Sequence, residues 1–400
     1  MRKKRWLIVI LLINLFMVLT MPSTVLATKE ESVQVYDEEK YQEIFDESQE
    51  EIEGLYDYIN STKTDVELMN ELDPYEYVKT YIKDGEGNIS SEKLIKAILS
   101  LIFKEVATVL KLCLSLIVVG VLCALIKNLQ QAFNNKGVSE VAFYACFIIL
   151  IMLLSKSFVI SIQVAKDIIT DISNFMNVLL PILVTMISLS GGVMQATTLD
   201  PVILAAVTII PKIYLSIIIP GILISFVLQF ANNLTEDHKI DNLCKMVKRW
   251  IMWLQGIILT AFIALLTIRG ITSSTMDAVT LKTTKYAVDN FIPIVGKAFS
   301  DAITSVAAYS LIIKNAISTI GLVTIVLMIL YPIIKIVLMS FIYKLSASLL
   351  EPISDKRITA SIVAAGDSLI VLLSCVLCVS LMFFVLIAIM ASANSFVIGV

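Results

Sequence analysis

The residues most able to do chemistry in this chain are lysines stranded in apolar surroundings. Lys212 follows Pro211 directly, inside the long apolar run Val202–Ala231. An ammonium group at membrane depth must face protein or water, or find a partner. Proline removes a backbone donor and frees a carbonyl. The two together have the pattern of discontinuous transporter helices, whose unwound backbone binds ions or substrates. A lysine snorkelling between two shorter segments has the same pattern. Lys335, three residues after Pro332, repeats it.

A second unusual stretch is Lys285–Asn315. Lys285/Asp289 and Lys297/Asp301 are spaced i,i+4 and can bond along one helix face. Lys297, Asp301, Thr304, Ala308 and Asn315 form one polar, small-residue stripe. Such a stripe suits a helix buried between membrane helices, one lining a wet cavity, or a surface amphipathic helix. There is also a short internal echo. Asn174-Phe175 precedes Leu180-Pro181-Ile182, and Asn290-Phe291 precedes Ile292-Pro293-Ile294.

Several classes of chemistry lack their residues. His238 is the only histidine, which argues against a histidine metal site or a catalytic triad. Cys375 and Cys378 have a redox or metal spacing, but they sit in an apolar run with no histidine or acid beside them. Their expected role is packing. No nucleotide loop, nucleophile elbow or zinc signature occurs. The expectation is a protein that is not an enzyme, with no catalytic residue, no cofactor and no metal.

The elements around these residues are those of a membrane protein. Hydrophobic residues make up 58% of the 400 and charged ones 16%. A folded soluble chain hides only about three quarters of its surface, too little for this composition. Arg2–Arg5, the apolar Trp6–Leu19 and the small residues ending at Ala27 have the order of a cleavable signal peptide, giving a first segment 1–27. Residues 28–92 form an acidic exported segment, where Ile44, Ile52, Leu55 and Ile59 recur at loose helical spacing. Residues 93–400 form a polytopic membrane domain. The exported segment holds 20 acidic and 5 basic residues, and the membrane domain 14 acidic and 22 basic. The lysines of the membrane domain form no continuous stripe, so nucleic acid is not an expected partner. The lipid bilayer is.

Lys93, Lys96, Ser100, Lys104 and Lys111 fall on one narrow helical face, with apolar residues around the rest. Candidate spans follow at Leu112–Ile126, Val141–Ser155, Phe175–Leu189, Val202–Ala231, Trp250–Ile268, Ile317–Tyr343 and Leu369–Ala391. A crossing needs about 20 apolar residues, so six or seven crossings fit. In lipid they must be helices. The expected fold is therefore an all-α polytopic bundle with its mature amino terminus outside the cytoplasm. Positive-inside bias puts Lys127–Lys136, Lys239–Arg249 and Lys344–Arg357 in the cytoplasm. Counting every span as one crossing cannot satisfy all three, which points to a broken or re-entrant element around Pro181, Pro211 or Pro220.

The segment Lys285-Tyr286-Ala287-Val288-Asp289-Asn290-Phe291-Ile292-Pro293-Ile294-Val295-Gly296-Lys297 carries a resemblance, continued by Ser300-Asp301-Ala302 and Ile313-Lys314-Asn315-Ala316. With the order of signal, acidic segment and polytopic body, it resembles the stage III sporulation protein AE family over essentially its full length. Ser318 departs from the small residue such as glycine expected there. The resemblance implies a cell-membrane subunit of the channel complex joining mother cell and forespore, with other stage III sporulation proteins as partners and the amino terminus toward the forespore. It carries over no catalytic residue. The alternative is a small-solute permease acting through the proline-broken helices. The candidate functional residues are Lys212, Pro293, Gly296, Lys297, Asp301, Lys314 and Asn315. The oligomeric state is left open.

Overall fold

The computed structural model describes residues 91–133, 136–234, 240–291 and 296–392, with 53–55, 57–59 and 80. The signal peptide and Pro293 lie outside the described residues. Among those described there is no strand; seven long helices carry the fold. They are α1 (Ser91–Phe133), α2 (Lys136–Leu189), α3 (Val193–Ile213), α4 (Ile219–Leu234), α5 (Asp241–Phe291), α6 (Gly296–Leu350) and α7 (Lys356–Ser392). Among the described residues six stretches are long and apolar enough to cross a bilayer: Leu99–Asn128, Val141–Leu189, Ile203–Leu234, Asp241–Ile268, Ser305–Leu350 and Lys356–Ser392.

The conflict between span count and basic segments is resolved by α2. Val141–Ser155 and Phe175–Leu189 are expected as separate crossings, but one unbroken helix carries both. Pro181 lies within it on the exposed side and withholds an N–H from the Asn177 carbonyl; Thr185 Oγ1 bonds back to the Pro181 carbonyl at 3.0 Å. The helix stops where Gly191 turns to φ 91°. There Gly192 N–H reaches the Ile187 carbonyl and Gly191 N–H the Ser188 carbonyl, at 2.9 and 3.1 Å. This pair of bonds is a Schellman cap, and its left-handed residue is a glycine because a side chain there is strained.

The proline-rich run is likewise continuous. A π-helical turn, Tyr214–Ile218, joins α3 to α4. Pro220 offers no N–H to the Ser216 carbonyl and its ring crowds that oxygen. The chain widens instead, and Ile219 N–H bonds back to the Tyr214 carbonyl, five residues earlier. The rod α3–π–α4 makes one crossing.

With α2 and α3–α4 each counted once, the three basic segments share one end of the bundle. Lys127, near the end of α1, pairs with Asp355 in the turn before α7. Lys248, at the start of α5, and Lys344, at the end of α6, converge on Asp367 of α7. We call this the basic end.

The opposite half is equally defined. The 54 residues of α2 measure about 80 Å at 1.5 Å per residue, far more than a hydrocarbon core of about 30 Å. Its exposed face changes character part-way. Val141, Ile148, Ile149, Met152, Val159 and Ile160 are exposed first. Gln163, Asp167, Thr170, Asn174 and Asn177 follow on the exposed face. The inner face stays largely apolar from Phe158 to Leu179, with Ser161 the buried polar exception. About 20 residues suffice to cross, so α2 is longer than one crossing needs. Past the change of face, Leu55 and Ile59 of the acidic segment are buried, and the Tyr58 hydroxyl donates to the Asp171 carbonyl at 2.9 Å. The expected helical spacing of those apolar residues serves to seat them on α2.

α7 is the axis. It packs along α6, α2, α4 and α5, and 78% of its apolar stretch is buried, against 22% for that of α5. Gly366 lets α6 approach α7 closely. A Cβ there would lie 3.3 Å from the Ser340 carbonyl oxygen and 3.4 Å from Tyr343 Cβ. Small residues at such crossings let helix backbones come together in lipid.

Candidate functional site

One face of α7 carries a series of polar groups, and each meets a partner from a different helix. Nearest the basic end, Asp367 accepts from Lys344 Nζ at 3.0 Å, with Lys248 Nζ at 4.0 Å. One residue on, Ser368 Oγ lies 3.3 Å from Gln229 Nε2 of α4. Two turns deeper, Ser374 Oγ donates to Gln255 Oε1 of α5 at 3.0 Å, and Cys378 Sγ is 4.0 Å from the same oxygen. Tyr214, fully buried at the start of the π-turn, lies beside Cys375 and Cys378. Gln255 Nε2 has no hydrogen-bond partner. In lipid such cross-helix bonds contribute only about 0.6 kcal/mol each on average, so they fix register more than they add stability.

A second cluster lies between α1 and α6. Glu105 is buried, and its Oε1 is 3.9 Å from Lys335 Nζ. The ammonium also sits 4.8 Å from the Tyr331 ring centroid. The other carboxylate oxygen of Glu105 has no hydrogen-bond partner. A charge so placed is costly unless its mate stays in place.

A third cluster closes the basic end. Asp355 is the N-cap of α7: its carboxylate accepts from Arg357 N–H at 2.8 Å, from Arg357 Nε at 3.3 Å and from Lys127 Nζ. Burial alone would raise the pKa of this carboxyl. The hydrogen bonds from Lys127 and from the Arg357 backbone and guanidinium outweigh it and hold the group below the usual carboxylate range. The Arg357 guanidinium lies 4.5 Å from the Phe143 ring centroid, tying α2 to the same knot.

The sequence candidates fall unevenly on this map. Lys314 is fully buried, and its ammonium donates to the Ala391 carbonyl at 3.0 Å. Ala391 belongs to the last turn of α7, where carbonyls lack intrahelical donors and the helix dipole is negative. Lys314 is thus an internal cap on the central helix. Asn315 beside it is half-buried, and its backbone carbonyl accepts from Thr319 Oγ1 at 2.8 Å. Lys212 is exposed in the last turn of α3 and joins none of the clusters. Gly296, Lys297 and Asp301 open α6, but their side chains lie outside the described set, so the structure does not place the Lys297/Asp301 pair. Lys96, Ser100, Lys104 and Lys111 are all exposed on α1, as their spacing predicts.

Glu105, Asp355, Asp367, Gln255 and Tyr214 are absent from the sequence candidates. A signal for two of them exists. Glu105 is the lone acid in the apolar first part of α1, and Gln255 the lone amide of the Trp250–Ile268 run. Cys375 and Cys378 are buried free thiols, and among the described residues no cluster could hold a metal ion.

These features define a polytopic helical membrane protein with a packed centre and internal ion pairs. Residues 72–394 match the family described as Stage III sporulation protein AE. The chain is 30% identical over 312 residues to the Stage III sporulation protein AE of Bacillus subtilis (strain 168), covering 78% of each chain. The protein belongs to the stage III sporulation protein AE family. No solved structure matches it.

Proposed function

We propose that this chain is a non-enzymatic membrane subunit of the channel complex that joins mother cell and forespore. Its basic end lies in the mother-cell cytoplasm. Its polar half projects toward the forespore with the exported segment 28–92. The carrying observation is α2, whose exposed face turns from apolar to polar near residue 160 while its core face stays largely apolar. A helix built this way holds a folded body outside lipid, within reach of partner proteins. Positive-inside bias gives the orientation, and the packing of Leu55, Tyr58 and Ile59 on α2 agrees with it. The centre of the single chain is filled by α7, so cargo passes between subunits or through partners.

The permease alternative rests on Lys212 and unwound backbone. Lys212 is exposed, and the chain around it remains helical through the π-turn. The test is affinity purification of the full chain from sporulating cells. Other stage III sporulation membrane proteins should copurify. Purification of the chain alone, together with Lys212-dependent solute uptake in liposomes, would reject the proposal.

A further inference from the structure

Arg249 differs from its basic neighbours in having no ion-pair partner among the described residues. Lys245 pairs with Asp241, and Lys248 approaches Asp367. Among the described residues no carboxylate reaches Arg249, which stands exposed on α5. Beside it is a groove of about 410 Å³ lined by Met246, Arg249, Trp250, Trp253, Leu254 and Ile257. Trp250 and Trp253 are 70% and 66% exposed, an unusual display for indoles.

The arrangement has a direction. Arg249 lies two turns from the start of α5, at the basic end; the tryptophans sit at and just beyond it, and Leu254 and Ile257 lead into the span. Indoles settle where headgroup meets hydrocarbon. A guanidinium binds phosphate oxygens in bidentate fashion, and basic pockets at the cytoplasmic face bind anionic headgroups. The groove below Arg249 is apolar, which suits an acyl chain and not a hydrated free anion. We propose that this face of α5 is a binding site for an anionic phospholipid, with the phosphate on Arg249, the glycerol region between Trp250 and Trp253, and one acyl chain along Leu254 and Ile257. Charge complementarity favours this occupant: an arginine with no carboxylate among the described residues stands over an apolar groove, matching a molecule that is anionic at one end and hydrocarbon below it.

The two tryptophans are also the probe. Of the three in the chain, Trp6 is the other, so Trp6→Phe leaves only Trp250 and Trp253 to emit. The full chain is reconstituted in phosphatidylcholine vesicles doped with brominated phosphatidylglycerol or brominated phosphatidylcholine. Brominated phosphatidylglycerol should quench at the lower mole fraction. Arg249→Gln should weaken that preference roughly tenfold, the value of one charge-assisted contact. Arg249→Lys should retain part of it, and Lys212→Gln, on another face, should change nothing. Inorganic phosphate should not relieve the quenching. Equal quenching by the two lipids overturns the site, as does a preference that survives Arg249→Gln or falls equally with Lys212→Gln. Quenching by neither lipid means protein covers the face, and relief by phosphate means the ligand is a free anion; either outcome rejects the proposal.

Discussion

α7 and α5 cross the same bilayer, yet the fold treats their polar residues in opposite ways. α7 is surrounded by protein, and its Asp367, Ser368, Ser374 and Cys378 meet groups from other helices of the same chain. α5 lies at the edge. It sends Gln255 inward to α7 but shows Arg249, Trp250 and Trp253 to its surroundings. Polarity on a membrane helix therefore has two meanings here. In the centre it sets the register of one chain, and at the edge it is available to something outside. Exposure, not hydropathy, separates the two.

The comparison breaks first where the centre is cut. Lys314→Ala removes the ammonium that caps α7, opens a cavity among fully buried side chains and leaves the Ala391 carbonyl with one donor fewer. The expected loss is about 3–5 kcal/mol, from the cavity and the orphaned acceptor together. It should be seen as a sharp fall in cellular protein level and in the thermal unfolding midpoint in detergent. Lys314→Met, which keeps most of the volume, should lose less. Equal midpoints for wild type and Lys314→Ala would mean that α7 needs no cap.

The next effect is at the basic end. Asp355→Ala leaves Lys127 and Arg357 without their shared carboxylate. Because Lys127 is 38% exposed, water screens part of the loss. We expect about 2 kcal/mol, below the figure for a fully buried pair. The pH dependence has a fixed sign. The folded pKa of Asp355 is depressed, so its contribution is full above the unfolded value near 3.9 and is lost as pH falls through the folded value. Unfolding midpoints should show an acid limb below about pH 4 from this group. Asp355→Asn should reduce that limb while leaving the slope between pH 5 and 7 unchanged. An acid limb of the same depth in Asp355→Asn would remove this group from the account.

Smaller still is the α1–α6 pair, where Lys335 keeps the Tyr331 ring when its acid is removed. Glu105→Gln should cost about 1–2 kcal/mol, and Lys335→Met a similar amount, since each leaves one buried group without its mate. The double substitution should be milder than the sum of the two. Strict additivity in the double-mutant cycle would show that the 3.9 Å separation carries no coupling.

The same division explains what could be read in the chain beforehand. The helical class, the spans and the shared side of the basic segments are legible because lipid imposes them on local composition. The exposed lysine face of α1 is legible because its spacing is helical. The unity of α2 is not, because nothing local to Pro181 separates a proline carried inside a continuous helix from one that ends it, and the Schellman cap lies ten residues on. Asp355 and Tyr214 escape for another reason. Tyr214 meets Cys375 and Cys378 far along the chain, and although Arg357 is only two residues from Asp355, the Lys127 that completes its cluster is 228 residues away. Lys314 was singled out by its neighbours in sequence, and the structure gives it a capping role that spacing could not show.

Lys212 marks the lower bound of the comparison. Its setting after Pro211 makes it the most transporter-like residue in the sequence, while its exposure on α3 places it with the edge and not the centre. Lys212→Ala removes no described ion pair or hydrogen bond and should stay within about 0.5 kcal/mol of wild type, the range of surface substitutions. Protein level, unfolding midpoint and spore yield should all be unchanged. A fall in all three would mean that α3 is packed against something at this position. A normal protein level with lost spore yield would be more instructive, since it separates function from folding. It would move Lys212 to the same class as Arg249, an edge residue used by an external partner, and would return the permease alternative to consideration.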